Sequence, residues 1–453
     1  MAFNDIPDPA AVAEATRGDA LLSTLAGERA SQGPGNKIVT YNGKTHIAWQ
    51  DSIDQRYLAR VRTLDHATGQ WSPVAVLSEG VDEHSRPTLV VDSRGILHVV
   101  MGGHNSPLQY QHSLKPHDSS AWSPIVEFGK NTYPVLLCGP DDTLHLTCRD
   151  GGHDGMEYFV KTPGGEWQSR GLLVRRQERF GGYTAMHNDM AWGPGQRTLH
   201  MSMGFFLSPR WARKDEEGRD LYGQYQAMGY MRSSDGGNTW QKADDSPVSL
   251  PATTDNLDVL DVAESNNPKP GIQHCGLAVD SQDRPYVGYV RHTPQPGGAH
   301  LLTTDAHGRW QPLPLRDAID KAFPGWVATL FKPVMTGDDA LCILAMLAPL
   351  EHPAANWNPG VFGRPAFWLR EYEHIQRLVW LESSDLGQTF TAREAVPYDG
   401  GRGQVLPSIE RPNGPHAIVG RRPSFIYTLG ESRYAAEGET INNELYWVRN
   451  SLV

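Results

Sequence analysis

Four cysteines in 453 residues, Cys138, Cys148, Cys275 and Cys342, cannot build a disulfide framework, and no two of them stand at CxxC spacing. Buried thiols are the expectation. No run of 18 apolar residues occurs, which excludes a membrane-crossing helix. Basic residues are also short: 41 Lys and Arg face 52 Asp and Glu, for a net charge of −11. A nucleic-acid or anionic-membrane binder needs a basic face, so neither partner is expected. A small anion held by a few local arginines remains compatible with this balance. The first 30 residues lack the basic start and apolar stretch of a signal peptide, and a cytoplasmic location is the expectation. They offer instead Asp8 as a helix cap, Pro9 at the first helical position and an Ala-rich turn.

What the chain does have is 46 Gly, 33 Pro, 13 Trp, 16 Tyr and 18 His. Hydrophobic residues at 39% and charged residues at 21% describe a folded chain with a core rather than a disordered one. Length alone suggests three domains, but a repeat absorbs it better. An alternating apolar run, a short polar turn and a second alternating run recur at Val39–Trp49, Thr88–Met101, Val135–Cys148, Met190–Met203, Leu277–Val290 and Val334–Leu347. A weaker copy covers Ile409–Tyr427. Period-2 alternation flanked by Asp, Gly and Asn is a hairpin pattern. A third strand and an aromatic closing strand follow several copies, as in LQYQHS and AWSPIVEF.

Seven such units, of roughly 65 residues each, predict an all-β, seven-bladed β-propeller with four-stranded antiparallel blades. Residues 1–36 are read as an N-terminal extension and 37–453 as one propeller domain. The closing strand within Glu444–Leu452 is expected to pair with the N-terminal strands and so remove a sheet edge. Ser233–Trp240 and Ser383–Phe390 share a Ser-x-Asp-x-Gly-x-Thr-aromatic pattern, which resembles the Asp-box turn of sialidase-type propellers. Three stretches break the rhythm: Leu207–Gln226, Ser249–Gly271 and the aromatic-rich Ala348–His374. Loops of this length commonly serve function, and here they would narrow one mouth of the channel.

In an antiparallel hairpin the residue entering the first strand lies beside the residue leaving the second. Those positions hold His84 and His104 in one unit, Tyr133 and Arg149 in the next, then His187, then His274 and Arg291. Asn105, His187, His274 and Arg291 are the candidates for substrate binding around the others. His46, His98, His145 and His200 lie inside second strands and read as structural residues. No carboxylate pair stands out at the same positions, which argues against a two-carboxylate glycosidase. A His, Tyr and Arg set suits β-elimination at a uronic acid. There the C5 proton is removed beside the carboxylate and the C4 oxygen departs. An arginine offsets the charge that builds on the carboxylate, and a His or Tyr moves the protons.

The segment DEHSRPTLVVDSRGILHVVMGGHNSPLQYQHS, followed by TYPVLL and TCRDGG, resembles the BNR-repeat propeller polysaccharide lyases, the ulvan and rhamnose–glucuronate lyases. The resemblance is densest over Lys37–Arg149. It implies a catalytic pair at His84 and His104, completed by Tyr133 and Arg149. It implies that Arg149 neutralises the uronate carboxylate while His84, His104 and Tyr133 share the base and acid roles. His104 or Tyr133 is the expected base, with His84 helping to protonate the leaving oxygen. The partner implied is an anionic oligosaccharide, imported and cut from its end. No cofactor is required for this chemistry. A structural zinc or calcium ion is allowed by the resemblance, and His153, Cys148, His187, His274 and Cys275 are side chains of the right type without diagnostic spacing. Two rivals stand beside this reading. A sialidase-type hydrolase is disfavoured because SRPT at Ser85–Thr88 is a poor match to that family's early Arg motif; a non-enzymatic binding propeller would not need the His, Tyr and Arg set.

Overall fold

A computed structural model describes residues 19–33, 35–176, 187–207, 224–262, 271–292, 298–349, 375–398, 400–420, 422–431 and 438–449. The expected N-terminal helix at Asp8 and Pro9 lies outside these residues, as do most of Leu207–Gln226 and Ala348–His374 and part of Ser249–Gly271. Each alternating pair read from the sequence folds as an antiparallel hairpin. Ile38–Tyr41 pairs with Lys44–Ile53, Thr88–Val91 with Leu97–Gly102, and Val126–Cys138 with Leu144–Asp150. Asn188–Trp192 pairs with Leu199–Leu207, Gly271–Val279 with Pro285–His292, and Trp326–Met335 with Leu341–Pro349. The weaker copy appears as Gln404–Ile409 against Phe425–Leu429. Among the described residues the one α-helix is Leu315–Ala322, too short to cross a membrane.

The chain divides into two compact units. The first comprises Met1–Gly151, Phe159–Ser169 and Gly403–Val453. One of its sheets runs Gln404–Ile409, Phe425–Leu429, Asn443–Val448, Asp19–Ala26, Lys44–Ile53, Arg56–Asp65. Asn443–Val448 thus pairs with the strand Asp19–Ala26, with Ala20 opposite Trp447 and Leu21 opposite Tyr446. Residues 19–26, read from sequence as part of an N-terminal extension, form an interior strand of this sheet. Trp49, Ile47, Leu22 and Ile426 are fully buried around it. A second sheet carries Thr88–Val91, Leu97–Gly102, His104–His112, Val126–Cys138 and Leu144–Asp150 in that order.

The second unit comprises Gly152–Tyr158 and Arg170–Arg402. The four-stranded plan is plain in two of its sheets. One runs Gly271–Val279, Pro285–His292, Gly298–Thr304, Trp310–Leu313; the other runs Trp326–Met335, Leu341–Pro349, Arg377–Ser383, Thr391–Glu394.

Short side chains close the hairpins in repeated ways. Asp92 accepts the backbone N–H groups of Arg94 and Ile96, and Asp280 accepts those of Gln282 and Arg284. Ser93 then donates its N–H and hydroxyl to Asp142 of the next hairpin, and Ser281 does the same to Asp339. In the two Ser-x-Asp-x-Gly-x-Thr turns, Ser233 and Ser383 donate to Asp235 and Asp385, which accept in turn from Thr239 and Thr389. Gly237 and Gly387 take φ of 87° and 88° there, a conformation that favours glycine. His46, His98, His145 and His200 are buried second-strand residues, as expected. His98 and His200 each bond a tyrosine hydroxyl on the neighbouring strand, Tyr110 and Tyr230. All four cysteines are buried thiols.

Candidate active site

Strand register assembles the site in the first unit. His104 opens the strand His104–His112 and stands opposite Thr132, which stands opposite Arg149 on the strand beyond. The backbone around this row is unusual. Gly102 and Gly103 have φ of 85° and 82°, and Asn105 and Tyr133 have φ of 60° and 61°. A left-handed asparagine is tolerated, but a left-handed tyrosine stores strain that the surrounding ladder must hold. The ladder slips between Thr132 and Val135, so Tyr133 sits on a bulge that re-aims its ring. That ring lies 5.7 Å from His84, 4.9 Å from the Arg149 guanidinium and 5.5 Å from that of Arg86.

His84 comes from the turn before Thr88–Val91. Its ring stacks on His104 with centroids 3.9 Å apart and planes 25° apart. Asp82 shapes this turn, accepting the backbone N–H of His84 at 2.8 Å. The same oxygen, Oδ1, lies 3.1 Å from His84 Nδ1, and Oδ2 lies 2.5 Å from His104 Nδ1. Glu83 Oε1 is 3.0 Å from His84 Nδ1 and 3.8 Å from the buried Arg29. Burial pushes the Asp82 carboxyl up, but hydrogen bonds from His104 and His84 outweigh it and hold the group well below the usual carboxylate range. Glu83 follows the same pattern, with His84 and Arg29 prevailing over burial. Behind them, Glu28 is pushed up to about 6 by burial and by the neighbouring Glu83 charge.

Arg149 is fully buried, and its Nη2 donates to Thr132 Oγ1 at 2.9 Å and Asn105 Oδ1 at 3.1 Å. Asn105 Oδ1 also accepts from the Thr132 hydroxyl at 3.3 Å. Lys37 is buried as well, donates to the Pro87 carbonyl at 2.7 Å, and is held well below its ordinary range by burial and by Arg86.

The structure thus gathers His84, His104, Asn105, Tyr133 and Arg149 into one cluster. The other three candidates belong to the second unit and have partners of their own. His274 is buried with Nε2 2.8 Å from Ser202 Oγ. Arg291 is held by Asp261 through two bonds of 3.0 and 2.6 Å, so its charge is already matched. His187 is half-buried just before the strand Asn188–Trp192. Asp82, Glu83 and Arg86 were missed by reading strand ends, because they lie inside the turn. Two carboxylates do meet His84, from the turn rather than from the strand ends read in the sequence. Both face one imidazole nitrogen, and both are held deprotonated. Neither is a raised-pKa acid opposite a base, as a hydrolase requires.

Asp82, His84 and His104 are also the one group among the described residues with donor atoms close enough to hold a metal ion. His153, Cys148, His187, His274 and Cys275 enter no such group there. Adjacent ligands of a tetrahedral zinc, at its usual bond lengths, stand about 3.3 Å apart. The 2.5 Å between Asp82 Oδ2 and His104 Nδ1 fits a shared proton better than two metal ligands.

Antiparallel sheets built from a recurring hairpin, one of them presenting a histidine pair with Tyr and Arg, define a β-repeat protein with a cluster of polar, titratable side chains. Residues 44–318 match the model of the BNR repeat-containing family, and the chain belongs to that family. Among curated proteins it is 29% identical over 140 residues to "Ulvan Lyase-PL25" of Pseudoalteromonas sp. (strain PLSV), covering 25% of this chain and 28% of that protein. It is 24% identical over 254 residues to an ulvan lyase of Alteromonas sp. (strain LOR), covering 48% and 50%. The chain therefore spans between a quarter and a half of the curated relatives it matches. Its fold is similar to that of a polysaccharide lyase, an ulvan lyase, solved bound to -[GlcA(1-4)Rha3S]-, with a TM-score of 0.67 at 13% identity over 94% of this chain and 95% of that one. A second solved polysaccharide lyase, Uly1, gives 0.59 at 12% identity over 92% and 90%.

Proposed function

We propose that this chain is a carbohydrate lyase that cleaves the bond at C4 of a uronic acid by β-elimination, the uronate being glucuronate or iduronate linked to rhamnose. The reading takes the seven hairpin units as blades of one propeller. The observation that carries it is the single cluster of His84, His104, Tyr133 and Arg149, in which two stacked imidazoles and a phenol lie beside a buried guanidinium. The ulvan lyases among its relatives support the substrate class.

In this reading His104 or Tyr133 takes the C5 proton, and the C5–H electrons form the C4–C5 double bond. The C4–O bond breaks, with His84 helping to protonate the departing oxygen. Charge that builds on the carboxylate is met by Arg149. Because Arg149 is buried and bonded to Asn105 Oδ1, its field reaches the substrate through the Asn105 carboxamide, whose Nδ2 hydrogens are left for the carboxylate. Nothing in these steps calls on a cofactor.

The test is incubation with rhamnose–glucuronate and ulvan oligosaccharides while following the ultraviolet absorbance of the conjugated double bond. A lyase creates that absorbance; a hydrolase releases sugar without it, and a binding protein releases nothing. His104→Ala should abolish it in a protein that keeps its circular dichroism. Absence of unsaturated product across a panel of uronate oligosaccharides overturns the proposal.

A further inference from the structure

We infer that Asp82 is a positioning residue that holds the proton on Nδ1 of both histidines of the pair, so that Nε2 is the atom through which each ring takes or gives a proton. The inference rests on the acid–base role proposed for that pair, but its geometry stands apart from the choice of substrate. One carboxylate spends its two oxygens on two imidazoles. Oδ1 takes the backbone N–H and Nδ1 of His84, at 2.8 and 3.1 Å, and Oδ2 takes Nδ1 of His104 at 2.5 Å. An ionised carboxylate only accepts, so each Nδ1 facing it must donate. Glu83, 3.0 Å from His84 Nδ1, adds a second acceptor at the same atom. Both carboxyls are held below their usual range, so neither offers a proton that would reverse the arrangement.

Neutral imidazole has one bare nitrogen, and the partner of the other nitrogen decides which one it is. With both Nδ1 atoms tied to Asp82, Nε2 is the atom on either ring that exchanges a proton, bare on the ring that acts as base and protonated on an imidazolium that acts as acid. The rings stack 3.9 Å apart, so they also share one anionic neighbour, which compensates the positive charge when either becomes imidazolium. The clamp therefore selects the reacting atom, fixes two rings against each other and offsets the charge formed on proton uptake. Asp82 performs this without belonging to a strand. Ser85 N–H donates to the Asp82 carbonyl at 3.0 Å and the Ser85 hydroxyl accepts from Val81 N–H at 2.9 Å, which holds the turn that carries it.

The experiment uses the full chain labelled with ¹⁵N-histidine, its two resonance pairs assigned by their loss in His84→Gln and His104→Gln. Long-range proton–nitrogen spectra read the tautomer of each ring without substrate. Wild type should show Nδ1–H on both rings while neutral. Asp82→Asn replaces two acceptors by one acceptor and one donor, so one ring should switch to Nε2–H. In a Ser-His-Asp triad the equivalent Asp→Asn change lowers kcat about 10⁴-fold through the wrong tautomer. Here kcat on a uronate oligosaccharide should fall about 10³- to 10⁴-fold with KM within about threefold, and Asp82→Glu should restore a measurable part.

Nε2–H on both wild-type rings overturns the inference, as does an Asp82→Asn protein whose kcat stays within about tenfold of wild type. A divalent metal bound stoichiometrically at the two Nδ1 atoms of the purified protein overturns it too. If the wild-type rings carry Nδ1–H and Asp82→Asn switches one, yet no uronate is cleaved, the clamp stands and the lyase proposal falls.

Discussion

Replacing Arg149 by Met separates the stability of the site from its chemistry. The side chain is fully buried, donates two hydrogen bonds from one nitrogen, and lies 4.9 Å from the Tyr133 ring. Losing hydrogen bonds to a charged group removes about 1.5–3 kcal/mol each. Taking a guanidinium out of a dry site returns a desolvation penalty of several kcal/mol, so the two terms largely cancel. Met fills similar volume, and the net change in folding free energy should stay within about 2 kcal/mol of zero. Catalysis has no such compensation. A group that meets charge developing in the transition state contributes about 3–4 kcal/mol, or a factor of 10²–10³ in kcat. The assay pairs initial rates of unsaturated-product formation with urea midpoints on the same preparations. Arg149→Lys should recover only part of the rate, since the shorter side chain keeps the charge but does not carry its nitrogen out to where Nη2 meets Thr132 and Asn105. An Arg149→Met protein that folds normally and keeps kcat within about tenfold of wild type would show that the buried charge plays no part in the reaction.

Two further substitutions probe the scaffold around the site. A methyl group at Gly103, where φ is 82°, would sit 2.1 Å from the Asn131 carbonyl oxygen. Gly103→Ala should lower stability in urea by about 2–5 kcal/mol, from roughly 1–2 for the left-handed backbone and 1–3 for the overlap. A change below about 0.5 kcal/mol would mean the strand relaxes freely there. Glu28 titrates at about 6 in the folded chain against an ordinary value of 4.5, chiefly through burial. A raised carboxyl value means the folded state holds the proton more tightly. That contribution is complete below 4.5 and lost as pH rises through about 6. Glu28→Gln should therefore gain about 2 kcal/mol over wild type above pH 7 and almost nothing at pH 4. A variant-minus-wild-type difference that does not change with pH would contradict this.

The hairpins were legible because their alternation is local, and the Asp- and Gly-bearing turns carry their own hydrogen-bond logic. His104, Tyr133 and Arg149 were legible because antiparallel pairing brings the ends of neighbouring strands together, and His84 because it stands shortly before the strand Thr88–Val91. Asp82, Glu83 and Arg86 obey no such rule: their roles come from a turn that folds back under the rings, which no periodicity encodes. Arg291 shows what strand position leaves open. It occupies the matching strand end, but Asp261, from a strand paired with Gln224–Ser233, reaches it and takes its charge. Position along a hairpin could be read from sequence, whereas the partner arriving from another strand could not.

The strand Asp19–Ala26 makes almost all of its ladder with Asn443–Val448 and meets Lys44–Ile53 only where Ala26 faces Asp51. During synthesis its partner leaves the ribosome only after every residue of the second unit. Until then the early strand waits with its peptide groups unmatched, a non-local closure of the kind that slows folding. Arg29, which backs Glu83 and hence His84, follows directly on that strand. Nascent chains and C-terminal truncations ending before Asn443 would thus hold all of the site's side chains in sequence, yet lack the seam that seats their rear support.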